Sequence, residues 1–172
     1  AEYDKTKGFI KVEKNVIAKD KQNNIIETQY AEYDEIKKIF KSIGPTKVIT
    51  TEKYIIEGTN IVFDNNKNHI SSNEKTIITD QDNNKIYLDN FSYLTKNNIF
   101  KSIGFIQIED VNNNKYEFSQ IYIDTKKKEI LGTDSKSYMN DNSLKFNEDN
   151  KPRIFANSVK INNEKSLFNK SV

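Results

Sequence analysis

Several residue types are missing or rare in this chain of 172 residues. It contains no cysteine, which excludes internal disulfides and thiolate metal sites. Its one histidine, His69, has no second histidine with which to form a metal pair or a base relay. The one arginine, Arg153, and a net charge of +2 speak against nucleic-acid binding. We therefore expect a protein that is not an enzyme and that holds no cofactor and no metal.

Long apolar runs are also missing. No segment approaches the roughly 20 apolar residues of a membrane helix, and no charged-then-apolar segment opens the chain. We expect that a secretion signal, if there was one, has been removed. The chain begins within a repeat at Ala1 and stops in an apolar stretch at Val172. We therefore interpret residues 1–172 as one domain of a longer protein.

What the chain does contain is a repeat with a period of 30 residues. An aromatic–aspartate step recurs at this interval, as in Tyr3-Asp4 and Tyr33-Asp34. The segment Ile39–Gly44 returns unchanged at Ile99–Gly104. Three further apolar columns keep the same interval: Ile10, Phe40, Ile70, Phe100, Ile130; Ala18, Val48, Ile78, Ile108, Tyr138; and Ile26, Ile56, Ile86, Tyr116. Repeats of this size predict a stacked array in which each unit packs on its neighbours.

The residues between the columns predict strands and turns. Short Ile/Val/Phe/Tyr segments alternate with Asn- and Asp-rich segments, which favour hairpin turns. Gly44-Pro45 predicts a bend or bulge, because proline has no N–H for the strand ladder. Residues 141–152 predict a polar loop or insertion, and residues 162–165 a turn. The fold class is therefore all-β, a stack of kinked strand pairs.

Two polar features invite a functional interpretation. Asp4, Asp34, Asp64 and Asp124 form a column that could bind calcium, but each opens a turn, and the glycine-centred ligand pattern of calcium loops is absent. We interpret these aspartates as structural. His69 lies at a turn-to-strand junction and is predicted to be a surface residue.

The aromatic and aliphatic columns are predicted to face inward. They form either a packed core or an open apolar trough for acyl chains, and periodicity does not decide between the two. The residues predicted to line such a trough are Tyr3, Ile26, Tyr33, Phe40, Ile56, Phe63, Ile78, Ile86, Tyr93, Phe100, Ile108 and Tyr116.

The repeated segments resemble a known family. Ala-x-Tyr-Asp segments, as at residues 31–34, alternate with Ile/Val-x-Ala/Thr segments and glycine breaks. They resemble the OstA-like β-jellyroll, or open β-solenoid, shared by the lipopolysaccharide-transport proteins LptA, LptC and the periplasmic part of LptD. Residues 153–161 and 166–172 look like the last jellyroll segment of the LptD family, which precedes its outer-membrane barrel.

The resemblance implies a function and a set of partners. It implies a domain at the periplasmic face of the outer membrane that receives lipopolysaccharide and passes its acyl chains along an apolar groove to the protein's own barrel. The implied partners are LptA, paired head to tail at the edge formed by residues 1–16, the barrel, and LptE. The alternatives are a free-standing LptA-like carrier, a polysaccharide-binding β-solenoid, and a structural scaffold with a filled core.

Overall fold

The computed structural model describes residues 1–140, 153–162 and 165–172, and these residues form strands and turns without any helix. The predicted loop at residues 141–152 lies outside the described residues. The strands are β1 (Glu2–Asp4), β2 (Phe9–Lys19), β3 (Ile25–Asp34), β4 (Ile39–Ile49), β5 (Ile55–Thr59), β6 (Val62–Asp64), β7 (His69–Ser72), β8 (Thr76–Thr79), β9 (Lys85–Leu88), β10 (Phe91–Leu94), β11 (Ile99–Glu109), β12 (Lys115–Asp124), β13 (Glu129–Tyr138), β14 (Arg153–Ile161) and β15 (Ser166–Ser171).

Neighbouring strands pair antiparallel into one folded sheet with two halves. The long strands β2, β3, β4, β11, β12 and β13 run through both halves. Between β4 and β11 the halves are separate. One is built of β6, β7 and β10, and the other of β5, β8 and β9.

With one exception, the columns of the sequence become two rows of side chains across the strands. The exception is Tyr138: Tyr116 lies opposite Ser137, so Tyr138 is on the other face of β13 and its predicted place in a column is wrong. The first half-sheet carries one row, in which each residue lies opposite the next: Tyr3, Ile10, Tyr33, Phe40, Phe63, Ile70, Tyr93, Phe100, Ile123 and Ile130. The second half-sheet carries the other: Ala18, Ile26, Val48, Ile56, Ile78, Ile86, Ile108 and Tyr116. Directly opposed residues of antiparallel strands share a face, so each row lies on one side of its half-sheet.

Bulges in β2, β4 and β11 mark the fold between the two halves. In β4, Gly44 and Pro45 together oppose a single residue of β3. In β11, Gly104 and Phe105 together oppose a single residue of β12. Gly44 has a φ of 83° and Gly104 a φ of 112°. Residues with a side chain would be strained in this backbone conformation. The predicted bulge at Gly44-Pro45 is confirmed, and the strand continues through it.

The aspartate column initiates turns, as predicted. The Oδ1 atom of Asp34 accepts the Lys37 backbone N–H at 2.8 Å, and Asp64 and Asp124 accept the equivalent N–H groups. The last residue of each turn is left-handed: Gly8, Lys38, Asn68, Asn98 and Lys128 have φ between 51° and 58°. Glycine or asparagine, which tolerate this conformation at little cost, stands at three of the five positions, and lysine stands at the other two.

Candidate functional site

The two rows face each other across the interior and approach each other most closely in the middle of the array. Within the first half-sheet, the rings of Phe91 and Phe100 stack with centroids 5.3 Å apart, and the Tyr93 ring centroid lies 6.1 Å from that of Phe100. Tyr93 is 2% exposed. The free space here is about 10 Å³, between residues of both half-sheets: Thr50, Tyr54, Ile56, Ile78, Tyr93, Phe100, Ile123 and Thr125. The centre of the interior is therefore closed in this conformation.

Toward the C-terminal end the half-sheets diverge and leave a cavity of about 320 Å³. Its apolar walls are Tyr54, Ile86, Ile108, Tyr116, Ile123, Ile130 and Ile161. Its rim is polar and consists of Asp80, Gln81, Asp82, Asn84, Asp110, Asn112, Lys128 and Asn162, with Val111 among them. This volume is at the lower end of the range of about 300–1,000 Å³ for small-molecule pockets.

Toward the N-terminal end the side chains of the first row become more exposed to solvent. Tyr3 lies in the row by register but is 51% exposed, and its hydroxyl donates to Glu35 Oε2 at 3.0 Å. Tyr33 and Phe40 are half-buried, although the Phe40 ring still meets Phe63 edge-on at 5.8 Å. The array is thus occluded in the middle and more open at both ends.

Two series of turns border the interior along its long side. The first lip consists of the turns at residues 5–8, 35–38, 65–68, 95–98 and 125–128, and the second lip of those at residues 20–24, 50–54, 80–84 and 110–114. In the first lip each turn is joined to the next by a backbone hydrogen bond, such as Thr95 N to Asn68 O at 2.9 Å. In the second lip side-chain amides make the links: Asn24 accepts from Thr51 N at 3.1 Å and Asn84 from Val111 N at 3.2 Å.

The lips meet along a row of side chains that we call the seam. Gln22 Nε2 donates to Asn68 Oδ1 at 3.1 Å, and Lys128 Nζ lies 3.3 Å from Asp82 Oδ2. Between these two contacts the Tyr93 hydroxyl donates to Glu52 Oε2 at 3.2 Å. Thr95 Oγ1 also reaches across the seam and lies 3.4 Å from Gln22 Oε1. On the first half-sheet, Thr125 Oγ1 lies 3.4 Å from the Tyr93 hydroxyl.

The seam explains why the N-terminal end is open. Gln22 and Asp82 each meet a residue 46 positions further along the chain, so the second lip is displaced along the array relative to the first. The first turn of the second lip, at residues 20–24, therefore contacts the third turn of the first lip, at residues 65–68. The first-lip turns at residues 5–8 and 35–38 have none of the described second-lip turns opposite them. Tyr3, Tyr33 and Phe40 stand beneath those turns, and this accounts for their exposure.

The interior is electrically neutral at physiological pH. Burial raises the pKa of Tyr54 to about 12 and also raises the pKa of Tyr93 and Tyr116, so all three hydroxyls stay protonated. In the described ranges no group of three or more His, Asp or Glu side chains could hold a metal ion. His69 is half-buried rather than on the surface. Its Nε2 lies 2.7 Å from Ser92 Oγ, and burial lowers its pKa.

The structure divides the predicted trough residues into groups by their surroundings. Ile56, Ile78, Tyr93 and Phe100 surround the closed centre, whereas Ile86, Ile108 and Tyr116 line the cavity. Ile26 and Phe63 are buried in the core, with Phe40 packed against it, while Tyr3 and Tyr33 are the least covered.

Sequence reasoning missed Tyr54, which lines both spaces. A signal was present: Tyr54 takes the place that Asn24, Asn84 and Asn114 hold in the other turns of the second lip.

Taken together, the folded sheet, the bulges and the two inward rows define a β-jellyroll of stacked, kinked hairpins. No family model and no curated protein matches the sequence. Among solved structures, the fold is similar to that of LptH from Pseudomonas aeruginosa, described as the LptA homologous periplasmic component of the conserved lipopolysaccharide transport device. The TM-score is 0.57 at 16% identity, covering 77% of this chain and 94% of LptH. The predicted all-β jellyroll fold is thereby confirmed.

Proposed function

We propose that this protein carries lipopolysaccharide, with the acyl chains of its lipid A in the apolar interior. The observation that carries the proposal is the cavity of about 320 Å³, whose walls are uncharged and whose rim is polar. An amphipathic ligand fits this division, with its chains against Ile108 and Tyr116 and its head group toward the rim. The fold that the chain shares with LptH supports the same ligand class.

The energetics favour an apolar lining over a polar one. Each CH₂ group moved from water into an apolar site contributes about 0.8 kcal/mol, so an acyl chain needs an extended apolar surface to cross an aqueous space. Charged walls would oppose this burial, because desolvating a charge costs more than burying a chain segment contributes. Ile86, Ile108 and Ile123 supply such a surface at the C-terminal end, and Ile56 and Ile78 continue it toward the centre.

We further propose an LptD-like place in the transport route, at the periplasmic face of the outer membrane. In this role LptA docks on the N-terminal edge at residues 1–16, and cargo moves toward the protein's own barrel and LptE. What supports the docking site is β1, which pairs with β2 on one side and leaves its other edge unpaired among the described residues. An unpaired edge strand is a template for pairing with another chain. The free-standing LptA-like carrier is the alternative with the same ligand.

A second candidate, the structural scaffold, is favoured by one observation. The centre holds about 10 Å³ of free space, so the core there is filled. The scaffold predicts no lipid uptake at any position.

Photo-crosslinking in cells separates the two candidates. A photo-reactive residue at Ile108 or Ile86 is expected to attach lipopolysaccharide, because both side chains line the cavity. The matched control is Gln107, which neighbours Ile108 in β11 but has the opposite side-chain direction. Adducts at Ile86 and Ile108 with none at Gln107 support the carrier. Silence at both cavity positions, or equal labelling at Gln107, contradicts it.

A further inference from the structure

The two lips are each well connected internally but are joined to each other weakly. Backbone hydrogen bonds of 2.8–3.0 Å link consecutive turns of the first lip. Across the seam, no backbone hydrogen bond joins the lips in the part of the chain that the structure describes. The contacts there are between side chains: the Asp82–Lys128 ion pair is exposed, whereas the Gln22–Asn68 and Glu52–Tyr93 hydrogen bonds are partly buried. An exposed ion pair contributes little, and a few side-chain contacts hold less firmly than the continuous backbone ladders within each half-sheet, so the seam is where the jellyroll opens most easily.

The closed centre requires such an opening if a ligand is to occupy it. An acyl chain cannot enter a space of about 10 Å³. The bulges at Gly44 and Gly104 lie at the opposite side of the sheet from the seam and connect the two halves, so they provide a hinge line. Parting the lips would separate Tyr93 of the first half-sheet from Glu52 of the second without breaking any strand pairing.

We propose that the seam is a slot that opens sideways and admits acyl chains between the lips into the centre, so that the ligand need not thread in from an end. This inference rests on the proposed function. The residues that hold the slot shut are Gln22, Glu52 and Asp82 on the second lip, Asn68, Thr95 and Lys128 on the first lip, and Tyr93 of β10, whose hydroxyl also contacts Thr125.

Thiol labelling tests the opening without any lipid, and the absence of natural cysteine makes every reporter unique. The reporter is Ile78→Cys, at a side chain that is 2% exposed beside the closed centre. Adding Tyr93→Phe removes the hydroxyl contacts of the seam and is expected to raise the labelling rate about fivefold, as the loss of one ordinary hydrogen bond would. The control Tyr30→Phe removes a hydroxyl that bonds Glu32 within one strand, and it should leave the rate unchanged.

A second reporter separates slot opening from global unfolding. Ile121→Cys lies in the core away from the lips, at a side chain with 0% exposure. Its labelling should not change with Tyr93→Phe if only the slot opens. Equal acceleration at Ile78→Cys and Ile121→Cys, or acceleration at neither, overturns the proposal.

Locking the slot tests the route of the ligand. Cysteines at Gln22 and Asn68, joined by a reducible thiol crosslinker, are expected to slow uptake of lipid A from micelles at least tenfold, and reduction should restore it. The control pair is Lys47 and Glu57, neighbours on β4 and β5 outside the seam. If the crosslinked protein takes up lipid A at an unchanged rate, the slot proposal is wrong and the ligand must enter from an end of the array. If the unmodified protein takes up no lipid A, the proposed function fails, while the labelling rates still decide whether the slot opens.

Discussion

Gly132 in β13 offers a stringent test of how tightly the jellyroll is packed. A methyl group placed on Gly132 would lie 2.3 Å from Cδ1 and 2.6 Å from Cε1 of Phe118, about 1 Å inside the 3.4 Å at which ordinary contact begins. The ring is 4% exposed and belongs to the core, so it has little room to move aside. The φ of Gly132 is outside the left-handed region, and backbone strain therefore does not contribute.

Two effects of opposite sign compete when Gly132 is replaced by alanine. The lower entropy of the unfolded chain would stabilise the protein by about 0.4–1 kcal/mol. Overpacking costs about 1–3 kcal/mol, and the depth of the overlap places this case near the upper end. We expect a net loss of about 2 kcal/mol, which lowers Tm by about 4–8 °C for a chain of this length.

Urea unfolding followed by circular dichroism measures the effect. The control Gly58→Ala meets Thr76 Oγ1 at 2.9 Å, a single contact with a small side chain, and should cost less than Gly132→Ala. Adding Phe118→Leu to Gly132→Ala should relieve the overlap, so that the double variant loses less than the sum of the single losses. Unchanged or increased stability of Gly132→Ala would refute the packing that we describe between β12 and β13.

Three further predictions follow from the turns and the cavity. The backbone N–H of Lys127 holds the pKa of Asp124 below its usual range, so its stabilisation is present above about pH 4 and is lost as pH falls through the lowered pKa. Asp124→Ala should therefore flatten the pH dependence of Tm in acid, and an unchanged profile contradicts this role. Asn84→Ala removes the bond to Val111 N and should cost about 1–2 kcal/mol in urea unfolding, whereas a neutral result would mean that the second lip is held otherwise. Ile108→Asp should lower lipid A binding, and it should lose less stability than Val48→Asp, because the Val48 side chain is 0% exposed and Ile108 lines the cavity. Equal losses of stability in both variants would place Ile108 in the packed core.

The repeat and much of its local structure could be predicted from the sequence. Tyr33 and Phe40 are seven residues apart in the chain and lie opposite each other in neighbouring strands, because a four-residue turn connects them. The same turn length fixes the pairing of Phe63 with Ile70 and of Tyr93 with Phe100. Left-handed positions such as Asn68 and Asn98 follow from residue type, since asparagine tolerates a positive φ. These features depend on contacts within one or two hairpins, and periodicity contains that information.

The surroundings of the predicted lining residues could not be predicted. Tyr3 and Tyr93 hold equivalent places in the repeat, yet Tyr3 is 51% exposed and Tyr93 is 2% exposed. Likewise His69 follows a turn, as a surface residue would, but Ser92 of a strand 23 positions away lies against its ring. Each difference is set by residues distant in the chain, which a local pattern does not specify.

The sequence by itself determined the 30-residue unit, its turns, the bulge at Gly44-Pro45 and the apolar columns, because each of these depends on the conformations available to a few neighbouring residues. Only the tertiary structure decided that the rows close on each other where Tyr93 and Phe100 of the first row face Ile56 and Ile78 of the second, that they diverge at Ile108, and that a polar seam from Gln22 to Lys128 borders them. The displacement of 46 residues across that seam arises from how the two half-sheets fold over each other. This arrangement leaves the centre closed and the ends open, and it is what gives the apolar rows their proposed function.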